Sequence, residues 1–254
     1  MLDALYTAAS GMLAQQTAMD VIANNLANVN TDGYKSHRTA FSDLLYTEIG
    51  PRQSAAQGQV QGTGARVTAI QTTQAQGAMV DGTNLDLAIV GNGYVPVQRL
   101  DGTTAYTRAG ALSLDAAGNV LTAGGETILP RMQVPQGADM ESFTIEKTGR
   151  VTVKVNDQVQ VLGTIRLAVF QNPYGLENVG SNLFRETANS GAAQLRNAGT
   201  GGAGDIQQGF LEKSNVNAVD EMVGMISTQR SYEAVAKIVS ASDEMLGIAN
   251  ALRR

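Results

Sequence analysis

The chain has 254 residues, enough to bury a sizeable core in one large domain or two modest ones. Its 43% hydrophobic content excludes global disorder, and the absence of cysteine excludes disulfide scaffolds and thiolate metal sites. With 18 basic and 23 acidic residues the formal charge is −5, and no basic stripe is present to displace counterions from a nucleic acid.

Residues 1–16 lack the basic segment and the continuous apolar run of a secretory leader, so export would have to read no cleavable signal. From Leu2 to Leu26 the pattern is helical. Leu5, Met12, Met19 and Leu26 recur every seven residues, Leu13 and Ile22 widen the stripe, and Leu2, Ala9, Gln16 and Ala23 hold companion positions. Two of those companions are alanine, which invites a partner at close range. Asp3 suits the first turn of the helix dipole. Asn28, Asn30 and Thr31-Asp32-Gly33 end the helix, because Asn, Asp and Gly tolerate turn conformations.

Residues 50–64 are rich in Gly, Gln, Ala and Ser and read as an extended connection. From about Val67 to Phe170 short β-rich runs alternate with turns. Tyr94–Leu100 precedes Asp101-Gly102 and then Ala105–Arg108. Ala111–Leu114 precedes a turn at Asp115–Asn119. Phe143–Ile145, Val151–Val155 and Ile165–Phe170 follow. Asp-Gly and Gly-Asn accept positive φ and favour hairpins, so a mostly antiparallel β domain is predicted. Residues 189–205, rich in Gly, Ala and Asn, read as a second extended or mobile connection.

The last element is another long amphipathic helix. Asn217 with Asp220 resembles a capping box, although Asp replaces the usual Glu or Gln. Met225, Tyr232, Val239 and Leu246 repeat every seven residues, and Val235, Ile238, Met245, Ala249 and Leu252 thicken the apolar face. The fold class expected is α+β: long N- and C-terminal helices of coiled-coil type flank a mostly antiparallel β domain. The boundaries expected are a terminal helix and signature over 1–34, a β-rich connection over 35–75, a β domain over 76–205 and a C-terminal helix over 206–254.

No catalytic constellation emerges, and no cofactor or metal site is expected. His37 is the sole histidine and lies beside Lys35 and Arg38, where a solvated side chain is the ordinary role. Gly91-Asn92-Gly93 begins like a dinucleotide fingerprint but runs into Pro96 and a strand, where that motif requires a helix. Asp81, Asn84 and Asp86 lack the spacing and terminal Glu of a calcium loop and read as a turn. Glu126, Glu141 and Glu146 could meet only in the fold. No run reaches the roughly 20 apolar residues that span a bilayer, so no membrane insertion is expected.

Each helical stripe is broader than a two-helix seam, so pairing the two ends would leave apolar surface for other copies. Charged residues are only 16%, below the usual share of about a quarter, so electrostatic repulsion between copies is weak. Self-association follows as the expectation. Its interface residues are Leu5, Met12, Met19, Ile22, Leu26, Met225, Tyr232, Val235, Val239 and Leu246, with Asn24, Asn25 and Asn28 beside them.

Ala23-Asn24-Asn25-Leu26-Ala27-Asn28 with Thr31-Asp32-Gly33-Tyr34-Lys35 resembles the N-terminal signature of flagellar rod and hook proteins. Ser214–Asn217, Glu221-Met222 and Gln229–Glu233 are similar to the matching C-terminal signature. Asp86–Tyr94 and Ala105–Gly110 are similar to the family's β domain. Gly62–Val67 and Ser214–Asn217 have a distal-rod character. The resemblance covers nearly the whole chain. It implies export through the flagellar type III apparatus and a helical homo-oligomer forming a hollow, periplasm-spanning drive shaft of the basal body. Proximal rod proteins and the hook protein are the partners it implies, with outer ring proteins as a further candidate. It also implies that the stretch from about Lys35 to Val67 tunes rod stiffness. Proximal-rod and hook roles stay open, as does, in another class, a cell-wall-binding or cell-wall-degrading β domain.

Overall fold

Alanine-rich helices tolerate close neighbours, and hairpin turns are made by local residues; both rules are visible in the computed structural model, which describes residues 2–44, 46–49, 59–156 and 158–252. The fold is α+β, with a long helix at each end of a mostly antiparallel β region. The chain divides into two units, one built from residues 1–27, 37–73 and 216–254, the other from 28–36 and 74–215.

The first unit holds α1 (Leu2–Ala27), β1 (His37–Asp43), β2 (Tyr46–Ile49), β3 (Gln59–Gly62), β4 (Ala65–Thr72) and α2 (Ala218–Leu252). Strand β1 pairs antiparallel with β4, and β2 with β3. Strands β1 and β4 both pack on α1. The helices run antiparallel: Asn25 of α1 meets Glu221 of α2, while Ile22 lies beside Gly224. At about 1.5 Å per residue α2 is roughly 50 Å long.

Small residues decide which side of α1 is covered. Ala14, Ala18, Val21 and Asn25, spaced by four, three and four, are buried along with Ala8. Leu5, Met12, Met19, Ile22 and Leu26 are half-buried, while Ala9, Gln16 and Ala23, expected to accept a close partner, are exposed. The most covered line of α1 therefore runs through small residues, and the largest side chains lie half-buried beside it. On α2 the covered line runs through Ala218, Glu221, Met225, Thr228, Val235, Val239 and Ser242, again at intervals of three and four or their sum. Asn217 caps this helix by accepting the Val219 N–H at 3.1 Å.

The second unit contains β5 (Met79–Asp81), β6 (Leu87–Val90), β7 (Val95–Gln98), β8 (Thr104–Thr107), β9 (Leu112–Leu114), β10 (Val120–Thr122), β11 (Thr127–Ile128), β12 (Ala138–Ile145), β13 (Arg150–Val155) and β14 (Gln158–Thr164). It continues with β15 (Arg166–Val169), β16 (Glu177–Asn178), β17 (Leu183–Arg185), β18 (Gln194–Asn197), β19 (Asp205–Gln208) and β20 (Phe210–Glu212). Seven of these strands form one sheet in the order β16-β17-β8-β7-β11-β10-β9, and β12-β13-β14 form another. The remaining pairs are β15 with β18, β19 with β6 and β20 with β5, all antiparallel. The hairpins close where Asp101-Gly102 and Gly118-Asn119 were expected to turn the chain, between β7 and β8 and between β9 and β10.

Leu87, Ile89, Val97, Ile128, Phe143, Val151, Ile165, Leu167 and Ile206 form the core of this unit. Tyr94, Tyr106, Phe170 and Phe184 make a second cluster of edge-to-face rings, with centroids 4.9–5.8 Å apart. The stretch 189–205 is not the extended or mobile connection its composition suggested. Strand β18 lies within it, and Ser190, Ala198 and Ala203 are buried. The strands also continue past residue 205, through β19 and β20. Most of the Gly50–Gly64 connection lies outside the described residues.

Two glycines make opposite predictions. Gly224 sits in a helix interior, where a Cβ would meet Ile22 Cδ1 at 3.6 Å, an ordinary contact. Gly224→Ala should therefore stabilise the helix by about 0.5–1 kcal/mol. Gly33 has φ 70° and a Cβ there would lie 2.6 Å from the Ala109 nitrogen, so Gly33→Ala should destabilise by more than the first change gains. Thermal unfolding followed at 222 nm tests both, and equal effects would refute the account.

Candidate functional site

Charged groups are scarce in this chain, which makes their burial informative. In the second unit three of them meet inside the protein. Glu212, at the end of β20, accepts from Lys35 Nζ at 2.5 Å and from the Gly77 N–H at 3.1 Å through one oxygen, and from Arg108 Nη1 at 3.0 Å through the other. The side chains of Lys35, Glu212 and Arg108 are 1%, 1% and 6% exposed. Two cations face one carboxylate, so the surplus donors need oxygen elsewhere. Lys35 Nζ also donates to the Ala75 carbonyl at 2.7 Å, and Arg108 donates Nε to Gly93 O at 3.0 Å and Nη2 to Gly91 O.

Local backbone explains how those acceptors are presented. Gly91 and Gly93 hold φ of 105° and 138°, a conformation that glycine adopts without strain, and their carbonyls turn toward Arg108. The arginine also lies over the Tyr94 ring, 5.6 Å from its centroid. The tyrosine hydroxyl donates to Gln74 Oε1 at 2.5 Å. The Gly-Asn-Gly segment is thus an arginine cradle.

Backbone bonds extend the clasp. Gly33 N donates to Glu212 O at 2.7 Å, Ser36 N to Asn215 Oδ1 at 2.7 Å, Asn215 Nδ2 to Ala75 O at 3.0 Å and Lys213 N to Ala78 O at 2.8 Å. Lys213 Nζ pairs with Asp32 at 2.7 Å. Three stretches that are distant in sequence, 31–36, 75–79 and 209–215, are so locked side by side. Burial holds the Lys35 ammonium below its ordinary pKa, and Arg108 adds to this. The hydrogen bond and charge of Glu212 oppose the shift without cancelling it. Burial likewise pushes the Tyr94 phenol up to about 12.

The first unit offers a surface instead of a cluster. Asn25 is 2% exposed and binds through both ends of its amide: Oδ1 accepts from His37 N at 2.9 Å, and Nδ2 donates to His37 O at 2.8 Å and to Glu221 at 3.0 Å. Asn24 is exposed and Asn28 half-buried. Met225, Val235 and Val239 are half-buried, and Tyr232 is 37% exposed. The side chain of Leu246 lies outside the described residues.

Beyond its covered line α2 carries further exposed apolar residues, Ile238 and Met245 beside that line and the others away from it. Val219, Val223, Ile226, Ile238, Met245 and Ile248 are each 52–67% exposed, and Ala234 and Ala241 continue the stripe. Met222, 51% exposed, lies on its margin, while Tyr6 and Leu13 are exposed on α1. Sequence reading named Ile238 and Met245 but missed Val219, Met222, Val223 and Ile226. Their spacing of three and four was visible, yet it belonged to a second stripe that a single-face template does not seek.

Two further acidic residues serve turns. Asp86 accepts from the Thr83 N–H at 2.7 Å and hydroxyl at 2.9 Å, and Glu126 accepts from the Thr122 hydroxyl. Among the described residues no group of three or more His, Asp or Glu is placed to hold a metal ion. No helix among them is long and apolar enough to cross a membrane.

Comparisons with known proteins fall on these features. Residues 5–35 match the family model for flagella basal body rod proteins, residues 88–153 that for the D1 domain of flagellar hook proteins FlgE/F/G, and residues 207–252 that for the C-terminal region of flagellar basal body rod FlgEFG proteins. The chain is 44% identical to the flagellar basal-body rod protein FlgG of Borreliella burgdorferi, over all of both chains. It is 40% identical to the FlgG of Bacillus subtilis over 97% of each, and 29% identical to the flagellar hook-basal body complex protein FlhP of the same organism over all of both. Lys35 falls in the first matched segment, Arg108 in the second and Glu212 in the third.

Removing the carboxylate strands two buried cations. Glu212→Gln should destabilise by about 3–5 kcal/mol, and Lys35→Met, which leaves Arg108 paired, by clearly less. Denaturant titration measures both, and the reverse order would overturn the assignment of Glu212 as the hub. Tyr94 also sets an alkaline limit. Its folded pKa of about 12 exceeds the ordinary phenol value of 10.0, so the unfolded chain loses this proton first. The stability contributed is complete below pH 10 and is lost as pH rises toward 12. Tyr94→Phe should flatten that decline; an unchanged decline would remove Tyr94 as its cause.

Proposed function

This chain belongs to the flagellar basal-body rod protein family, and from that premise we propose that it is a distal-rod subunit that polymerises helically through its terminal helices into a hollow shaft passing torque from motor to hook. As a structural subunit of the flagellar rod it serves motility by mechanical continuity. The observation that carries the finer reading is the apolar breadth of α2. One line packs within the chain, and beyond it Val219, Val223, Ile226, Ile238, Met245 and Ile248 are exposed to solvent. A helix apolar that far round belongs in an interior, and here that interior is supplied by sister subunits.

The expected interface residues on the covered sides of α1 and α2 then set the spacing of the helical pair, and the uncovered stripe makes the inter-subunit contact. Identity favours the distal position: within one organism the chain is 40% identical to FlgG and 29% to FlhP. The proximal rod and the hook are the neighbours of such a subunit along the shaft, and outer ring proteins are candidates around it. Its place is the periplasm-spanning part of the basal body.

Val223→Asp with Ile226→Asp puts two carboxylates on the exposed stripe while leaving α1 contacts untouched. Circular dichroism should match the parent. Burying even one unpaired charge costs several kcal/mol, so assembly in a strain lacking the native copy should fall by at least tenfold. Counts of rods in isolated basal bodies provide the measurement, and normal rod numbers would show that this stripe is not the contact.

A further inference from the structure

Methionines are the only oxidisable sulfur in a chain without cysteine, and they are distributed unevenly. Of nine methionines, Met132 is 2% exposed inside the β core, whereas Met140, Met222 and Met245 are 37%, 51% and 52% exposed. Among the described residues, two of these three exposed methionines lie on the uncovered apolar side of α2 or at its margin. Met222 is one position from Val223, and Met245 stands between Ala241 and Ile248 on the stripe.

We propose that Met222 and Met245 form an oxidation-sensitive modification site, at which conversion to the sulfoxide by a peroxide blocks assembly of subunits that have not yet been incorporated. The inference rests on the assembly reading above. In the reaction a sulfur lone pair attacks one peroxide oxygen. The S–O bond forms as the O–O bond breaks, and the departing oxygen leaves as water after proton transfer. Sulfur loses two electrons and the peroxide is reduced to water. The product replaces an apolar thioether with a polar acceptor. On a free subunit water satisfies that acceptor at no cost. On a covered helix face no donor is provided, so association weakens on the order of tenfold for each sulfoxide.

Location decides which sulfurs matter. Met132 is protected by the core in every state, and Met140 lies on β12 of the second unit, not on either helix. Met222 and Met245 are open before assembly and covered after it, so sensitivity is confined to the interval before incorporation. A methionine sulfoxide reductase would restore the thioether and reverse the block.

The test uses the purified full chain at high concentration, treated with hydrogen peroxide, mapped by peptide mass spectrometry and followed for self-association by sedimentation. Treated wild type should carry sulfoxide at Met222 and Met245 and lose association about a hundredfold. Met222→Leu with Met245→Leu should associate normally and keep doing so after treatment, whereas Met140→Leu should give no protection. Reductase treatment should restore the wild type. If fully oxidised wild type associates as before, or if the double leucine variant is equally sensitive, the modification site is wrong. If the untreated wild type does not self-associate, or Val223→Asp with Ile226→Asp leaves association intact, the assembly reading fails with it.

Discussion

A single carboxylate organises the second unit. Glu212 lies 177 positions after Lys35 and 104 after Arg108, and it is 1% exposed while bound to both. Bringing three charges out of water is costly, and only near-complete hydrogen bonding makes the arrangement tolerable. The surrounding backbone meets that demand. Gly77 N–H adds a donor to the carboxylate, and the carbonyls of Ala75, Gly91 and Gly93 take the donors that Glu212 cannot. The glycines are therefore part of the electrostatics: the backbone geometry at 91 and 93 makes two carbonyls available to one guanidinium. Alternative registers of the three locked stretches would leave at least one charge buried without a partner, so the ion cluster works against misalignment as much as for stability.

The first unit solves a different problem. The most deeply buried positions of α1 are alanine, valine and asparagine, and Ile22 of α1 meets Gly224 of α2. Asn25 adds direction to this greasy seam. Its amide is complementary to both polar groups of the His37 backbone and reaches Glu221 as well, which fixes the helices against sliding. Polar registration inside an apolar seam costs some stability and selects one alignment. The assembly proposed above would depend on that selection, because a shift by one turn would be copied into every neighbour contact.

Much of the architecture could be read locally. Helices at both ends followed from period, and the β7–β8 and β9–β10 hairpins followed from Asp101-Gly102 and Gly118-Asn119, since turns are specified by adjacent residues. The ion cluster could not be read, because nothing near Lys35 announces a carboxylate 177 residues away. The stretch 189–205 misled for a related reason. Gly, Ala and Asn report backbone freedom, yet small side chains are also what a chain needs to run close against a core, as Ala198 and Ala203 do. On α1 the period was readable but the phase was not: ranking by hydrophobicity favours Met12 and Met19, while the covered line passes through Ala14 and Ala18.

Magnitudes indicate how an uncovered stripe is compatible with both a separate subunit and the proposed assembly. Fully burying a Val, Ile or Met gains about 1.5–3 kcal/mol, so six residues already half-covered offer on the order of 5–9 kcal/mol. Association costs roughly 4–15 kcal/mol in lost freedom. One pairwise contact is therefore close to break-even, and isolated subunits stay apart at low concentration. A lattice position changes the balance, because a subunit that touches two or more neighbours gathers several such contacts while losing its freedom once. In the proposed assembly, growth is then favoured at an existing end, and in free solution association needs a high subunit concentration. The scarcity of surface charge fits the same balance, since a few repulsive pairs across the contact would be enough to cancel the gain.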